Sequence, residues 1–238
     1  SSWPAPTASR PSRSADHRVP PLEPPSEPRP NPRQTKGISM NATISRKLTL
    51  ADIADVRAYE REREALRAKV IDLKSRRRLA LGTVVTITFE NRDTMRHQIQ
   101  EMARVEKLVT DEAIQEELDI YNSMIPEPGQ LCATVFIELT SDEQMRVWLP
   151  KLVGIEKHFL FRLADGTSVR AVTEEQHDAQ LTREDVTAAV HYIRFEFAPE
   201  QVAAFDGIVH FAVDHPNYSE DIELLPGTVA ELRTDLLP

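Results

Sequence analysis

The chain has 238 residues, about 40% of them apolar, and a formal net charge of −9 at neutral pH, a size that suits one or two domains. Residues 1–40 hold six Lys/Arg against three Asp/Glu, a balance of +3, which leaves −12 on the rest. A body this acidic repels phosphate backbones and anionic lipid surfaces, so the composition argues against a nucleic-acid binder or a membrane-surface protein.

Residues 1–39 contain ten of the 17 prolines. Proline removes backbone donors, and the segment offers too little apolar surface to offset the entropy of ordering, so a disordered, partly polyproline-like tail is expected. It would be a ligand for a proline-binding module, a linker, or a stretch translated from upstream of the native start, because Met40 opens a conventional beginning. The expected organisation is therefore a tail over 1–39 and a single domain over 40–238.

Thr49 and Asp52 have the spacing of a capping box. Beyond them Ile53, Val56, Tyr59, Leu66, Val70 and Leu73 recur at three- and four-residue steps, predicting an amphipathic helix to about Arg77 with an outer face of alternating charge. After Gly82, "TVVTITFE" (83–90) is a β-branched strand. Asn91 can cap a second helix with Asp93 in its favourable first turn, and Met95, Ile99, Met102, Val105 and Val109 form its apolar stripe. Thr110 starts a third, with Ile114, Leu118, Tyr121 and Ile125 inward, ending at Pro126.

The second half is strand-rich. "LCATVFIEL" (131–139) is an apolar strand, and Ser141 caps a short helix. Strands flank "ADG" (164–166), whose Asp-Gly suits a hairpin turn. "AAVHYIRFEF" (188–197) alternates, "PEQVAAF" is a short helix with proline in its first turn, "IVHFAVDH" (208–215) and "DIELLP" (221–226) are strands, and "GTVAELRTDLL" closes as a helix. Early helices and late strands predict an α+β fold, N-terminal amphipathic helices packed on a mainly antiparallel or mixed sheet.

Several constellations could carry chemistry. His210 and Asp214 share one strand face, and His215 follows; imidazole and carboxylate suit zinc or iron, so these three, with His191 as a further ligand, are the metal-site candidate against the bland reading of a polar strand face. Glu174 and His177 have the Glu-x-x-His spacing of di-iron bundles without a second copy, and His97 and Glu101 stand one helical turn apart. The run Lys74–Arg78 could grip phosphate or simply complement the negative end of a helix dipole. Cys132, the single cysteine, lies in an apolar strand with no activating base nearby in sequence, as a structural thiol would. One thiol fits a reducing compartment, no apolar run approaches a membrane span, and no signal-peptide layout is present, so a cytoplasmic protein is expected. Nucleophile elbows, glycine-rich phosphate loops, Cys-x-x-Cys and His-Glu-x-x-His are missing; no catalytic residue and no cofactor can be named. There remains the polar face of the second helix: Arg92, Arg96, Gln100 and Arg104, with Glu101 and Glu106. Arginine forks recognise carboxylates and phosphates, making this face the partner-binding candidate; the alternative is pairing along the helix itself.

The stretches "RRRLALGTVVTITFENRDTMRHQIQEMARVEK", "LCATVFIEL", "HYIRFEF" and "DHPNY" resemble a bacterial family, domain-of-unknown-function family 3501, from about Leu48 to the C-terminus. The resemblance implies no activity and no catalytic residues. It implies a setting, since such genes often lie beside those for rubrerythrin-like and iron–sulfur oxidoreductase proteins. The expected role is thus an accessory or interaction protein in redox or peroxide defence, with a redox protein as partner; the alternative is a metal-dependent enzyme using the strand histidines.

Overall fold

The computed structural model describes residues 45–173 and 186–238. The expected tail, and the Glu174–His177 motif, lie outside the described residues. The chain divides into two units, Ser1–Ser45 and Arg46–Pro238, and every helix and strand among the described residues belongs to the second.

Thr49 and Asp52 form their capping box, but around a single 3-10 turn, Leu50–Asp52. Asp55 then caps the helix proper, its carboxylate accepting from the N–H groups of Arg57 and Ala58, so α1 runs Val56–Arg77. A second acceptor three residues downstream thus starts the helix later than the periodicity alone predicts. β1 (Arg78–Leu81) and β2 (Val85–Glu90) form a hairpin about Gly82. β1 escapes sequence reading because it follows the helix without a break and is four residues long.

Asn91 caps α2 (Arg92–Glu106), accepting from Asp93 and Thr94 N–H. The helix ends on Lys107 in the left-handed region at φ 56°, before Val109, and Val105 and Val109 of the predicted stripe are 62% and 83% exposed. α3 is Asp111–Tyr121, β3 Gln130–Ile137, α4 Asp142–Lys151. The "ADG" turn joins β4 (Phe159–Arg162) to β5 (Ser168–Arg170). Then come β6 (Val172–Thr173), β7 (Val190–Glu196), α5 (Pro199–Ala204), β8 (His210–His215), β9 (Tyr218–Glu223) and α6 (Pro226–Leu236). β9 begins three residues earlier than expected, because His215 to Tyr218 is a tight hairpin.

The strands make two antiparallel sheets, β1-β2-β3-β7-β6 and β5-β4-β8-β9. Alternation turns Ile87, Phe89, Ala133, Val135, Ile193 and Phe195 of the first sheet towards Phe159, Phe161, Phe211 and Val213 of the second, and these buried side chains form the main core. The rings of Phe89, Phe161, Phe195 and Phe211 meet with centroids 4.8–6.3 Å apart, within the range of favourable aromatic packing. A smaller core lies among the helices, where Met95, Ile99 and Met102 of α2 meet Leu118 and Tyr121 of α3 beside Tyr192 of β7. The fold is α+β as expected, though built on two sheets where one was anticipated. No helix among the described residues is long and apolar enough to cross a membrane.

Candidate functional site

The polar face of α2 lies along α1 and the 3-10 turn, with Arg92, Arg96 and Arg104 half-buried and Gln100 buried. Gln100 is 1% exposed; its amide closes a two-bond clasp with Ala54, accepting from the N–H at 2.8 Å and donating to the C=O at 3.1 Å. Arg92 pairs with the Asp52 carboxylate, and Arg96 Nε donates to Asp52 O at 2.7 Å. Arg104 lies 3.5 Å from Glu60 and 3.6 Å from Glu101. Glu101 is the hub of the α1–α2 contact, accepting from Tyr59 Oη at 2.6 Å and from both forks of Arg63 at 2.7 and 3.0 Å. The Arg63 bonds hold its carboxyl down at about 2, against the raising effect of partial burial and with help from Tyr59. Burial also holds the neighbouring His97 imidazole below its usual value.

The strand histidines are not brought together. Alternation along β8 places His210 and Asp214 on the outer face and His215 on the inner, buried one. Both His215 nitrogens are engaged: Nε2 donates to Val153 O at 3.1 Å, and Nδ1 accepts from Asn217 N–H at 3.2 Å. His191 lies inward on β7, with Nε2 2.9 Å from both Thr187 Oγ1 and Ala188 O. Asp214 receives a bidentate Arg170 at 2.8 and 2.6 Å and stands 3.1 Å from His158 Nδ1; the Arg170 bonds in particular keep its carboxyl at about 2. His210 Nδ1 lies 2.7 Å from Asp221 Oδ1, while Arg162 takes the other oxygen. The outer face of the second sheet therefore carries two Arg–Asp–His sets that close on themselves. Three of their members, His158, Arg162 and Arg170, come from a hairpin that sequence reading left without a role; cross-strand adjacency, not any local motif, assembles them. Among the described residues no group of three or more His, Cys, Asp or Glu is placed to hold a metal ion.

The basic run also turns to its own chain. Lys74 Nζ is 3.7 Å from Glu90, Arg76 bridges Asp72 and Glu231, Arg78 meets Glu138, and Arg77 is wholly buried. Cys132 is buried on β3.

Among the described residues two concave surfaces stay open, a small polar one lined by Arg46, Asn91, Arg92, Asp93 and Asp235 and a larger, mainly apolar one. The larger, a groove of about 530 Å³, lies at the end of the second sheet where β8 begins and β9 ends, under α6. Ile208, Leu224 and Val229 contribute to its lining, and Asp206, Glu223 and Arg233 supply its charges; Arg233 Nη1 donates to Asp206 at 2.7 Å. Around it Ile208, Leu225 and Leu237 are 58%, 73% and 44% exposed. Sequence reading missed it because its walls come from three separate segments, each ordinary alone.

Fold and groove together define an α+β protein in which two antiparallel sheets are backed by helices and one end is left apolar. The chain belongs to the family described as "Protein of unknown function (DUF3501)", whose model matches residues 47–236. A crystal structure of a novel protein of unknown function from Burkholderia pseudomallei K96243 is similar, with 33% identity, a TM-score of 0.74, and coverage of 80% of this chain and 99% of that one. No curated protein matches the chain.

Proposed function

We propose that this chain is an accessory protein that binds a partner through the groove beneath α6, the partner being a rubrerythrin-like or iron–sulfur redox protein. The observation that supports a binding role is the exposure of Ile208, Leu225 and Leu237 around that groove. Apolar side chains gathered at a concave site lower the free energy of association when a partner removes them from water. The acids, bases and arginines picked out as candidates within the described residues are instead largely engaged with one another. The redox identity of the partner rests on the setting that the family resemblance implies.

The test is calorimetric titration of the purified full chain with a purified rubrerythrin-like protein and with an iron–sulfur oxidoreductase from the same cells. Saturable binding to one of them is expected, weakened about tenfold or more by Leu225→Asp with Leu237→Asp, a loss on the order of 1.4 kcal/mol. Absence of binding to both would remove the redox assignment. Binding indifferent to the two aspartates would move the contact away from the groove.

A further inference from the structure

α1 has 22 residues, a rod of about 33 Å, yet it buries only Tyr59, Val70 and Arg77. The line opposite that buried edge is Arg57, Arg61, Ala65, Ala68, Asp72 and Ser75, all exposed. Along the helix it goes from basic, through small, to acidic. This order runs against the macrodipole, which favours acids near the start of a helix and bases near its end. The arrangement therefore does little for the isolated helix.

Turned end for end, the centre of this line, Arg61 to Asp72, complements itself. When Ala65 and Ala68 of one helix lie against Ala68 and Ala65 of another, Arg61 and Asp72 are equidistant from the midpoint. Each arginine then stands level with the other helix's aspartate, and the two alanines let the backbones approach. Opposed helix dipoles add to the match. We propose that α1 pairs antiparallel with α1 of a second copy of this chain, an isologous contact of the kind most soluble dimers use.

Other faces fit this role less well. α3 presents Asp111, Glu112, Glu116 and Asp119 to solvent, so two copies would repel. On the outer face of the second sheet, Asp214 and Asp221 already receive Arg170 and Arg162. Asp72 does accept from Arg76 of its own helix, but its side chain remains 70% exposed and Arg76 also bonds Glu231, so the carboxylate stays accessible to a second arginine. Ile71, 57% exposed, flanks the line and adds apolar surface. Two such helices would bury on the order of 1,000 Å², at the low end for a specific interface, so the dimer is weak and concentration-dependent.

Sedimentation velocity of the full chain across the micromolar range tests this, with circular dichroism confirming unchanged helix content in each variant. The native chain should pass from monomer to dimer. Arg61→Asp alone sets aspartate against Asp72, Asp72→Arg alone sets arginine against Arg61, and each should weaken self-association about tenfold or more. Mixing the two variants restores both pairs, so the mixture should dimerise where neither component does. A native chain that stays monomeric, a dimer indifferent to either substitution, or a mixture no better than its components overturns the proposal.

Discussion

At Gly82 the backbone has φ +66°, and a Cβ placed there would lie 2.5 Å from both the Tyr218 hydroxyl and a Glu220 carboxylate oxygen. The Tyr218 hydroxyl cannot simply move away, because it donates to Leu81 O and ties the β8–β9 hairpin to the first sheet. Gly82→Ala should therefore lose roughly 1–3 kcal/mol, combining left-handed strain with a broken contact. A lowered urea midpoint at unchanged slope is the expected reading; an unchanged midpoint would mean that the hairpin relaxes freely. Single residues are also where sequence reading was least able to see. Gln100 is polar, and its place on a helix face rich in arginine gave no sign that Ala54 offers it a matching N–H and C=O. Its burial depends on a backbone segment 46 positions away. His215 differs. The two-residue period already put it on the face opposite Asp214, and only its place at the strand end made it look available.

Helices and strands with strong local signals fall where the sequence puts them. Asn91, Thr110 and Ser141 each cap the helix that follows, and Asp165-Gly166 turns its hairpin. Elements set by competition do not. Asp55 displaces Thr49 as the cap of α1, Lys107 ends α2 before Val109, and β1 is fixed by pairing with β2. The α1–α2 contact is likewise a product of tertiary structure, since Tyr59 and Arg63 meet Glu101 across about forty residues. Glu101 sits at about 2 in the folded chain, below the ordinary glutamate value of about 4.3. A carboxyl depressed on folding contributes stability that is present above its unfolded value and lost as pH falls through the folded one. Acidification from pH 5 to about 2 should therefore release part of the α1–α2 contact. Glu101→Gln should destabilise by about 1–3 kcal/mol at neutral pH and flatten that stretch of the stability curve. If the variant keeps the native slope between those pH values, other carboxyls govern the acid limb.

On the scale of the whole molecule, the helices and the two sheets must be held by more than the aromatic core, and Arg77 is placed to do it. It ends α1 at 0% exposure. Its Nε donates to Phe89 O at 2.9 Å, Nη1 to Glu231 at 3.1 Å, and Nη2 to Asp235, so one guanidinium joins α1, β2 and α6. Burial raises the Asp235 carboxyl, with Arg77 acting against that rise. Removing the arginine leaves a mostly buried acid without its nearest cation, a change that typically costs roughly 3–5 kcal/mol. Arg76, its neighbour, touches the same Glu231 but is 45% exposed, and its loss should cost far less, as exposed ion pairs contribute little. Adding Asp235→Asn to Arg77→Ala should recover part of the loss, because the second change removes the charge that the first leaves stranded. Urea unfolding of the four variants, with Asp235→Asn alone closing the cycle, measures this directly. Equal losses at Arg76 and Arg77, or no recovery in the double variant, would show that α6 is held by its apolar face, Val229, Leu232 and Leu236, and that the buried arginine merely fills the space between.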